Sequence, residues 1–377
     1  MVVAIQDGTT LHYSHSAAAE LGDLGSGRGF LVHSTLAVRA SDRRILGLLD
    51  QNRWIRPDER PSKHERQKRA YRDKESFEWE AACRRNDARL GIHENLITVC
   101  DREADIYEFL GFLQTTKQRF VVRANHDRKL ATADGTTLWE HMARQPVLGT
   151  HTMELEQRGP QRATLGRPAR KARKEQIRCL ALRAARVTLL APQRSKGSLE
   201  VNVVDVSEPE PPEQQTPIEW MLVTLEPIAT TQDALTVIRY YECRWLIEEF
   251  HKVWKSGCRI EESRLQHADN LERWAVITAH IAARMLALRF LAASEPERPC
   301  SEILTTDEWQ CLYACTHSSK RFPTSPPSVG WALLAIAKLG GWHDTKRTGI
   351  PGWQSLWRGW MRLYERFAGW MLARSTA

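Results

Sequence analysis

The sequence of 377 residues has no unbroken apolar run near the roughly 20 residues that a membrane-spanning helix needs. Its first residues, MVVAIQD, lack the basic and then apolar segments of a signal peptide. Low-complexity tracts are missing too, and 42% of the residues are hydrophobic. We therefore expect a globular, cytosolic protein that does not contact a membrane.

Cysteine pairs with the spacing of a zinc site are also missing. Of the eight cysteines, only Cys311 and Cys315 lie close together, and no second pair accompanies them. The pattern predicts reduced thiols with a structural role.

Positive charge is in modest excess. Lys and Arg number 54 against 46 Asp and Glu, which gives a formal net charge of +8. Two stretches are rich in basic residues, Lys63 to Lys74 and Arg158 to Arg178. Either stretch alone is typical of a solvated face. Fourteen tryptophans in the same chain favour contact with nucleic acid, because indole rings stack on bases.

The order of the predicted elements indicates a mixed α/β fold. Strands are predicted at 2–5, 30–38, 45–49, 95–100 and 119–122, and helices at 74–90 and 104–113. Between 127 and 228 the pattern becomes β-rich, with strands at 199–206 and 218–224. Helices follow at 231–256, 270–291, 331–339 and 353–372, the first with a capping box at Thr230 and Asp233 and a stop at Gly257.

A stripe of large apolar residues follows one face of the last predicted helix. It consists of Trp353, Leu356, Trp357, Trp360, Leu363, Tyr364, Phe367 and Trp370. Such a stripe most often belongs to a core. At this place in the chain, a contact with a partner helix is the competing interpretation.

Four polar residues share one face of the helix predicted at 231–256. Tyr241, Arg244, Glu248 and Lys255 have helical spacing, and a solvated face with an Arg244–Glu248 pair is the ordinary interpretation. Two other carboxylates favour a functional site over a solvated face, because Asp7 and Asp101 each follow a predicted strand. Three carboxylates that converge repel one another unless a cation is present, so we expect Mg²⁺ among them.

Several segments resemble the DDE transposases of the bacterial insertion-sequence-four family. They are IQDGTTLHYSH (5–15), VCDREADIYEF (99–109), YECRWLIEEFHKVWKSG (241–257), ADNLERW (268–274) and DTKRTGIPGW (344–353). Tyr241, Arg244, Glu248 and Lys255 match the family's Tyr-Arg-Glu-Lys signature in identity and spacing. The resemblance extends over nearly the whole chain.

The resemblance implies a ribonuclease-H-like catalytic core with an inserted β subdomain and an α-helical C-terminal region. The implied division is 1–126 for the first part of the core, 127–228 for the insert, 229–292 for the rest of the core and 293–377 for a helical dimerisation region.

The resemblance also implies roles for individual residues. Asp7, Asp101 and Glu248 would be catalytic and would hold two Mg²⁺ ions, for which Mn²⁺ can substitute. The implied DNA-binding residues are Tyr241 and Arg244 at a phosphate beside a flipped base, Trp220 stacked on that base, Lys255 at the transposon end, their neighbours Trp245 and Lys252, and Arg123, Arg128 and Lys129 at the DNA backbone. Asn125 departs from the family pattern, which has a lysine at this position.

The implied reaction is cut-and-paste transposition of double-stranded DNA by a homodimer, through nicking, hairpin formation, hairpin opening and strand transfer. Family members carry an end-recognition domain ahead of the first aspartate, and this sequence begins six residues before Asp7. An alternative is therefore a truncated partner that inhibits full-length transposase by forming a heterodimer with it. A general ribonuclease-H-like nuclease is a third possibility, but simple hydrolysis does not need a base-flipping clamp.

Overall fold

The fold is seen in a computed structural model of the chain. It describes residues 1–14, 20–25, 27–57, 62–91, 94–155, 176–192, 197–212, 215–317, 321–345 and 348–375. Most of the second basic stretch, up to residue 175, lies outside the described residues.

One large mixed sheet organises the described residues. Its ten strands are β1 (Val2–Tyr13), β2 (Gly22–Asp23), β3 (Arg28–Arg39), β4 (Ile45–Trp54), β5 (Leu96–Cys100), β6 (Arg119–Arg123), β7 (Gly149–Leu155), β8 (Gln176–Leu190), β9 (Ser198–Ser207) and β10 (Glu219–Thr224). The order is β2-β3-β1-β5-β6-β10-β9-β8-β7, and β4 also pairs with β3. Only β1, β5 and β6 are mutually parallel. The run LITVC in β5 is apolar because helices cover both faces of the sheet at this point.

Ten α-helices complete the described fold. They are α1 (Lys63–Lys68), α2 (Glu78–Leu90), α3 (Tyr107–Thr115), α4 (Leu138–Ala143), α5 (Thr231–Glu242), α6 (Trp245–Lys252), α7 (Ala268–Ser294), α8 (Thr306–Thr316), α9 (Val329–Leu339) and α10 (Trp353–Ser375).

The two faces of the sheet bury separate hydrophobic clusters. Along β6, Val121 belongs to one cluster, whereas its neighbours Phe120 and Val122 belong to the other. The cluster of Phe120 is covered by α2, α3 and α4, and the cluster of Val121 by helices α5 to α10. A mixed sheet between two helical layers confirms the predicted α/β class and is consistent with a ribonuclease-H-like transposase core.

The strands of region 127–228 extend the core sheet. β10 pairs antiparallel with β6, and β9, β8 and β7 follow it in turn. The strands predicted at 199–206 and 218–224 are present as β9 and β10, and the strands of this region are hydrogen-bonded to the core sheet without a break. The boundaries at 126, 228 and 292 stay predictions.

The helix predicted at 231–256 is interrupted. α5 ends at Glu242, α6 begins at Trp245, and a π-helical turn covers Val253–Gly257. At the interruption the helix tightens, because the backbone N–H of Arg244 donates to the carbonyl of Tyr241, three residues back, at 2.9 Å. The predicted capping box is confirmed: the Thr230 side chain and Asp233 exchange hydrogen bonds with each other's backbone N–H.

The aromatic stripe of α10 faces the interior of the chain. Leu356, Trp360 and Leu363 are fully buried, and the other members of the stripe pack against the same core. Two glycines allow this contact: a Cβ on Gly359 would lie 1.8 Å from the carbonyl oxygen of Ile336 in α9, and Gly340 approaches α10 as closely. Within the described chain α8 and α9 pack over this stripe, as the core interpretation expects, and a contact between subunits in this region stays a prediction.

One described helix, α7, is long and apolar enough to cross a membrane. More than half of its most apolar stretch is buried inside the protein, and the helix packs against α6, α9 and β4. This is the environment of a core helix.

Candidate active site

The two predicted aspartates lie at the same level of neighbouring strands. β1 pairs in parallel with β5 from Val2–Leu96 to Ile5–Val99. Asp7 and Asp101 each come two residues after the last pair. Side chains two positions along a strand point to the same face, so the register places both carboxylates on one side of the sheet.

The prediction that Asp7 ends its strand is wrong. β1 continues to Tyr13, because it stays paired with the antiparallel β3 along all twelve residues. What ends near Asp7 is the parallel pairing with β5, and this opens the sheet beside its side chain. Asp101 does follow the end of its strand, where its Oδ1 accepts a hydrogen bond from the backbone N–H of Glu103 at 2.8 Å.

Glu248 approaches from α6, which packs on β1. Its carboxylate accepts a hydrogen bond from the guanidinium of Arg244, one turn earlier. The Glu248 side chain is 57% exposed, whereas that of Arg244 is 20% exposed. The predicted pair is therefore formed, with its carboxylate end toward solvent and its cationic end toward the sheet.

Three neighbouring carboxylates act electrostatically on Asp7. The pKa of Asp7 is raised from 3.8 to about 7, first by burial and then by repulsion from Asp101; Glu248 and Glu103 add to the repulsion, and Arg244 opposes it. Glu103 is a fourth acid at the site, and its own pKa is raised by burial and by Asp101. Such a cluster of negative charge is stable at neutral pH only with protons or cations bound.

The donor set suits a divalent cation. Asp7, Asp101 and Glu248 offer the hard carboxylate oxygens that Mg²⁺ and Mn²⁺ prefer. Within the described ranges, no three acidic, histidine or cysteine side chains stand in position to share one ion as they are. At this site the carboxylate of Glu248 is paired with Arg244, and its side chain is exposed.

A buried histidine lies against Asp7. The Nδ1 atom of His251 is 3.7 Å from Oδ2 of Asp7, and its Nε2 atom has no hydrogen-bond partner among the described residues. Burial, followed by the charge of Lys255 and by His33, lowers the pKa of His251 to about 3. His251 is therefore neutral at physiological pH and adds no positive charge to the acidic cluster.

An open cleft of about 880 Å³ leads to these groups. Asp7, Glu103 and Glu248 line it together with Lys252 and Lys255. The ammonium of Lys255 is 3.7 Å from Glu261, and that of Lys252 is 3.1 Å from Glu249. Acidic groups at one point and lysines around it suit a polyanionic substrate that is cut at a cation site.

Trp220 and Tyr241 form an aromatic pair beside the acidic cluster. Their ring centroids are 5.1 Å apart at an angle of 64°. Burial raises the pKa of Tyr241, against the opposing charges of Arg244 and Arg123. Arg123 also donates to the backbone carbonyl of Glu219 at 2.7 Å. The structure thus groups Trp220, Tyr241, Arg244 and Arg123.

Comparison with known families decides the class of this site. The family model described as "Transposase DDE domain" matches residues 79–284, more than half of the chain. The chain belongs to this transposase family. The matched span contains Asp101 and Glu248, and Asp7 lies before it. The protein is therefore a transposase, whose substrate is DNA and whose family generally uses divalent metal ions.

Three of the predicted DNA-binding residues of the transposase lie apart from this group. Arg128 is in a buried ion pair with Asp105, where the two side chains are 9% and 0% exposed, which is the environment of a structural residue. Trp245 packs on Phe290 and is 39% exposed, outside the lining of the cleft. Lys129 is exposed, next to the end of β8, and does not line the cleft.

Sequence reasoning missed other residues of the transposase site. Glu103 had a signal, because it follows Asp101 in the polar run DRE. His251 also had one, since it lies one turn after Glu248 on the signature helix. The sequence alone does not distinguish Glu103 and His251 from solvated residues, because the distinction depends on their burial in the fold.

Proposed function

We propose that this transposase moves DNA by a cut-and-paste mechanism, with Asp7, Asp101 and Glu248 as its catalytic carboxylates. The observation that carries the proposal is the register that sets Asp7 and Asp101 at the same level of neighbouring parallel strands, with Glu248 on the helix that packs on β1. Structural carboxylates in this chain are paired with arginine, as Asp105 is with Arg128. Asp7 has acidic neighbours instead.

The three carboxylates would hold two Mg²⁺ ions, for which Mn²⁺ would substitute. Bound ions of this kind activate a water or a 3′-hydroxyl and stabilise the leaving oxygen of a phosphodiester. Nicking, hairpin formation, hairpin opening and strand transfer are all attacks of a hydroxyl or water oxygen on a phosphodiester. One site therefore suffices for the whole series.

The residues around the carboxylates would hold the DNA. Rotation of Glu248 away from Arg244 leaves that guanidinium free to bind a phosphate. Tyr241 would share this phosphate, Trp220 would stack on an unpaired base, and Lys252 and Lys255 would follow the backbone along the cleft. Arg123 lies beside Tyr241 and joins this set.

Two copies of the chain would act together, as the resemblance implies. Because the aromatic stripe is buried, the proposed contact moves to the exposed side of α10, where Met371 and Leu372 are 43% and 68% exposed. Analytical ultracentrifugation tests this contact: Leu372→Asp should lower the dimer fraction, in the presence of DNA or without it. An unchanged dimer would place the contact elsewhere.

Cleavage of a pre-nicked, radiolabelled duplex made from the ends of the element tests the catalytic proposal. With Mg²⁺ or Mn²⁺ the chain should form hairpins or joined strands, and Asp7→Ala, Asp101→Ala and Glu248→Ala should each abolish them. Asp307→Ala, which removes a surface carboxylate paired with Arg374, is the control and should retain activity.

The outcomes separate cleanly. Activity that survives any of the three substitutions would remove that carboxylate from the site. Failure of the unaltered chain, together with metal-dependent cleavage once an end-binding domain is fused before it, would show a competent core that lacks end recognition. If neither the unaltered chain nor the fusion protein cleaves DNA, the proposal is contradicted.

A further inference from the structure

Glu261 connects two walls of the acidic cleft. Its Oε1 atom accepts a hydrogen bond from the backbone N–H of His12 at 3.0 Å, and the same atom lies 3.7 Å from the ammonium of Lys255. His12 and Lys255 both line the cleft, whereas Glu261 does not. One carboxylate oxygen therefore joins the strand that carries Asp7 to the segment that follows α6.

The hydrogen bond to His12 is made at an edge of β1 that β5 leaves open. β1 pairs with β5 only as far as Ile5, and beyond that point it stays paired with β3 on its other side. The backbone N–H of Val2 donates to the carbonyl of Asn95, just before β5. Since N–H groups alternate in direction along a strand, that of His12 points to the same edge. A backbone N–H needs a partner, and here Glu261 supplies it in place of a strand.

A short turn with a buried side chain holds Glu261 in this position. It is the 3-10 turn Ile260–Glu262, in which Ile260 is fully buried and which packs on β1 and α7. Glu262, the next residue, pairs with Arg259, and these two side chains are 59% and 53% exposed. The Glu261 side chain is only 30% exposed. The turn thus places two successive glutamates in different surroundings, one in solvent and one against β1.

A π-helical turn presents Lys255 to this carboxylate. The turn covers Val253–Gly257, and its Trp254 is fully buried, with the indole Nε1 donating to the hydroxyl of Thr278 in α7 at 2.9 Å. Turns of this kind are frequent at functional sites. The backbone at Lys255 is therefore fixed by packing, whereas the direction of its long side chain depends on its contacts, of which the ion pair with Glu261 is one.

We propose that Glu261 is a positioning residue, which directs the ammonium of Lys255 to a DNA phosphate in the cleft and fixes the far end of β1 beside it. The inference rests on the proposed function, because it takes Lys255 as a contact of the DNA backbone. It reverses the usual expectation for an acidic residue near DNA. A carboxylate close to a polyanion ordinarily weakens binding by repulsion, whereas a carboxylate that holds a lysine in place strengthens it.

The sign of the change in DNA affinity tests this inference. Binding of a fluorescein-labelled duplex is measured by fluorescence anisotropy over a range of salt concentrations, without divalent metal. Glu261→Gln, which keeps an acceptor for the N–H of His12, should weaken binding about threefold, and Glu261→Ala should weaken it further. Lys255→Ala should lower the slope of log affinity against log salt by about one, and Glu261→Gln should lower it in the same direction.

Glu262→Gln is the matched control. It removes the same charge from the same turn, but Glu262 pairs with the exposed Arg259, so binding should be unchanged or slightly tighter. In a Lys255→Ala background, Glu261→Gln should behave like this control, because the lysine that it positions is gone. Circular dichroism and thermal melting check that each variant is folded.

The failure of this inference is distinct from that of the proposed function. Binding that Glu261→Gln tightens as Glu262→Gln does, or a weakening that persists in the Lys255→Ala background, would overturn the inference, and metal-dependent cleavage would leave the proposed function standing. An affinity and salt slope that Lys255→Ala leaves unchanged would overturn the inference together with the DNA contact of Lys255. A coupled loss of affinity, in a chain without metal-dependent cleavage either alone or fused to an end-binding domain, would overturn the catalytic proposal and leave the role of Glu261 standing.

Discussion

Cation binding to this transposase should be coupled to proton release from Asp7. In the metal-free protein, burial and the neighbouring acids raise the pKa of Asp7 to about 7, so this carboxyl is half protonated at neutral pH. A cation binds the ionised form only. Lowering the pH below 7 should therefore weaken Mg²⁺ or Mn²⁺ binding, and Asp7→Asn should remove this dependence.

The magnitude follows from the size of the shift. With a pKa of about 7, only about a tenth of Asp7 is ionised at pH 6, so cation affinity should fall about tenfold per pH unit below 7 and level off near pH 8. Filling the site should release in total about 0.9 proton per chain at pH 6 and about 0.1 at pH 8. The linkage has a second effect. Because the folded state holds this proton more tightly than the unfolded state, the contribution of Asp7 to the stability of the metal-free fold should be lost as the pH rises from 3.8 to about 7.

Isothermal titration calorimetry with Mn²⁺, in two buffers of different ionisation enthalpy, counts the released protons directly. The matched control is Asp205→Asn, which alters a carboxyl whose pKa is also raised by burial but which lies outside the acidic cleft. Proton release near zero at pH 6, or equal release from the unaltered chain and Asp7→Asn, would refute the reasoning.

Three further outcomes are expected. Arg128→Ala should lower the free energy of unfolding by roughly 3 kcal/mol, because it leaves the buried carboxylate of Asp105 unpaired. Urea denaturation measures this, and an unchanged stability together with weaker DNA binding would restore the surface role. Gly359→Ala should lower the melting temperature, at a cost of about 2 kcal/mol, since its Cβ would meet a carbonyl of α9. Gly369→Ala, which has open space in the same helix, should be neutral or slightly stabilising in the same calorimetric scan. Burial lowers the pKa of His33 to about 3, so its neutral form is part of the fold, and the contribution of His33 to stability should fall by roughly 1.4 kcal/mol per pH unit as the pH drops from 6.5 toward 3. His33→Gln should flatten that slope in urea titrations, and an unchanged slope would assign it to other groups.

Much of the catalytic arrangement could be predicted because strand and helix patterns are local. The apolar run before Asp101 predicted a buried strand, and the spacing of Arg244 and Glu248 predicted a pair on one helical face. Both features depend on residues within one element. The capping box at Thr230 is local in the same sense, and it was confirmed.

The errors concern contacts between distant parts of the chain. The length of β1 beyond Asp7 comes from its pairing with β3, and the burial of Arg128 comes from Asp105, which precedes it by 23 residues. The covering of the α10 stripe depends on α8, a helix that the periodicity did not reveal. The interruption after Glu242 contains neither proline nor glycine, so no local signal marked it.

The continuous sheet fixes the spacing between two parts of the proposed site, Trp220 and Asp101. β10, which carries Trp220, is hydrogen-bonded to β6, and β6 to β5, after which Asp101 follows. Two strand spacings of about 4.8 Å each separate the aromatic strand from the acidic one. No hinge intervenes between these three described strands, so backbone hydrogen bonds fix the distance between the strand that carries Trp220 and the strand that leads to Asp101. Under the proposed function, substitutions at Trp220 should therefore leave unchanged the number of nucleotides between the base that it contacts and the cut.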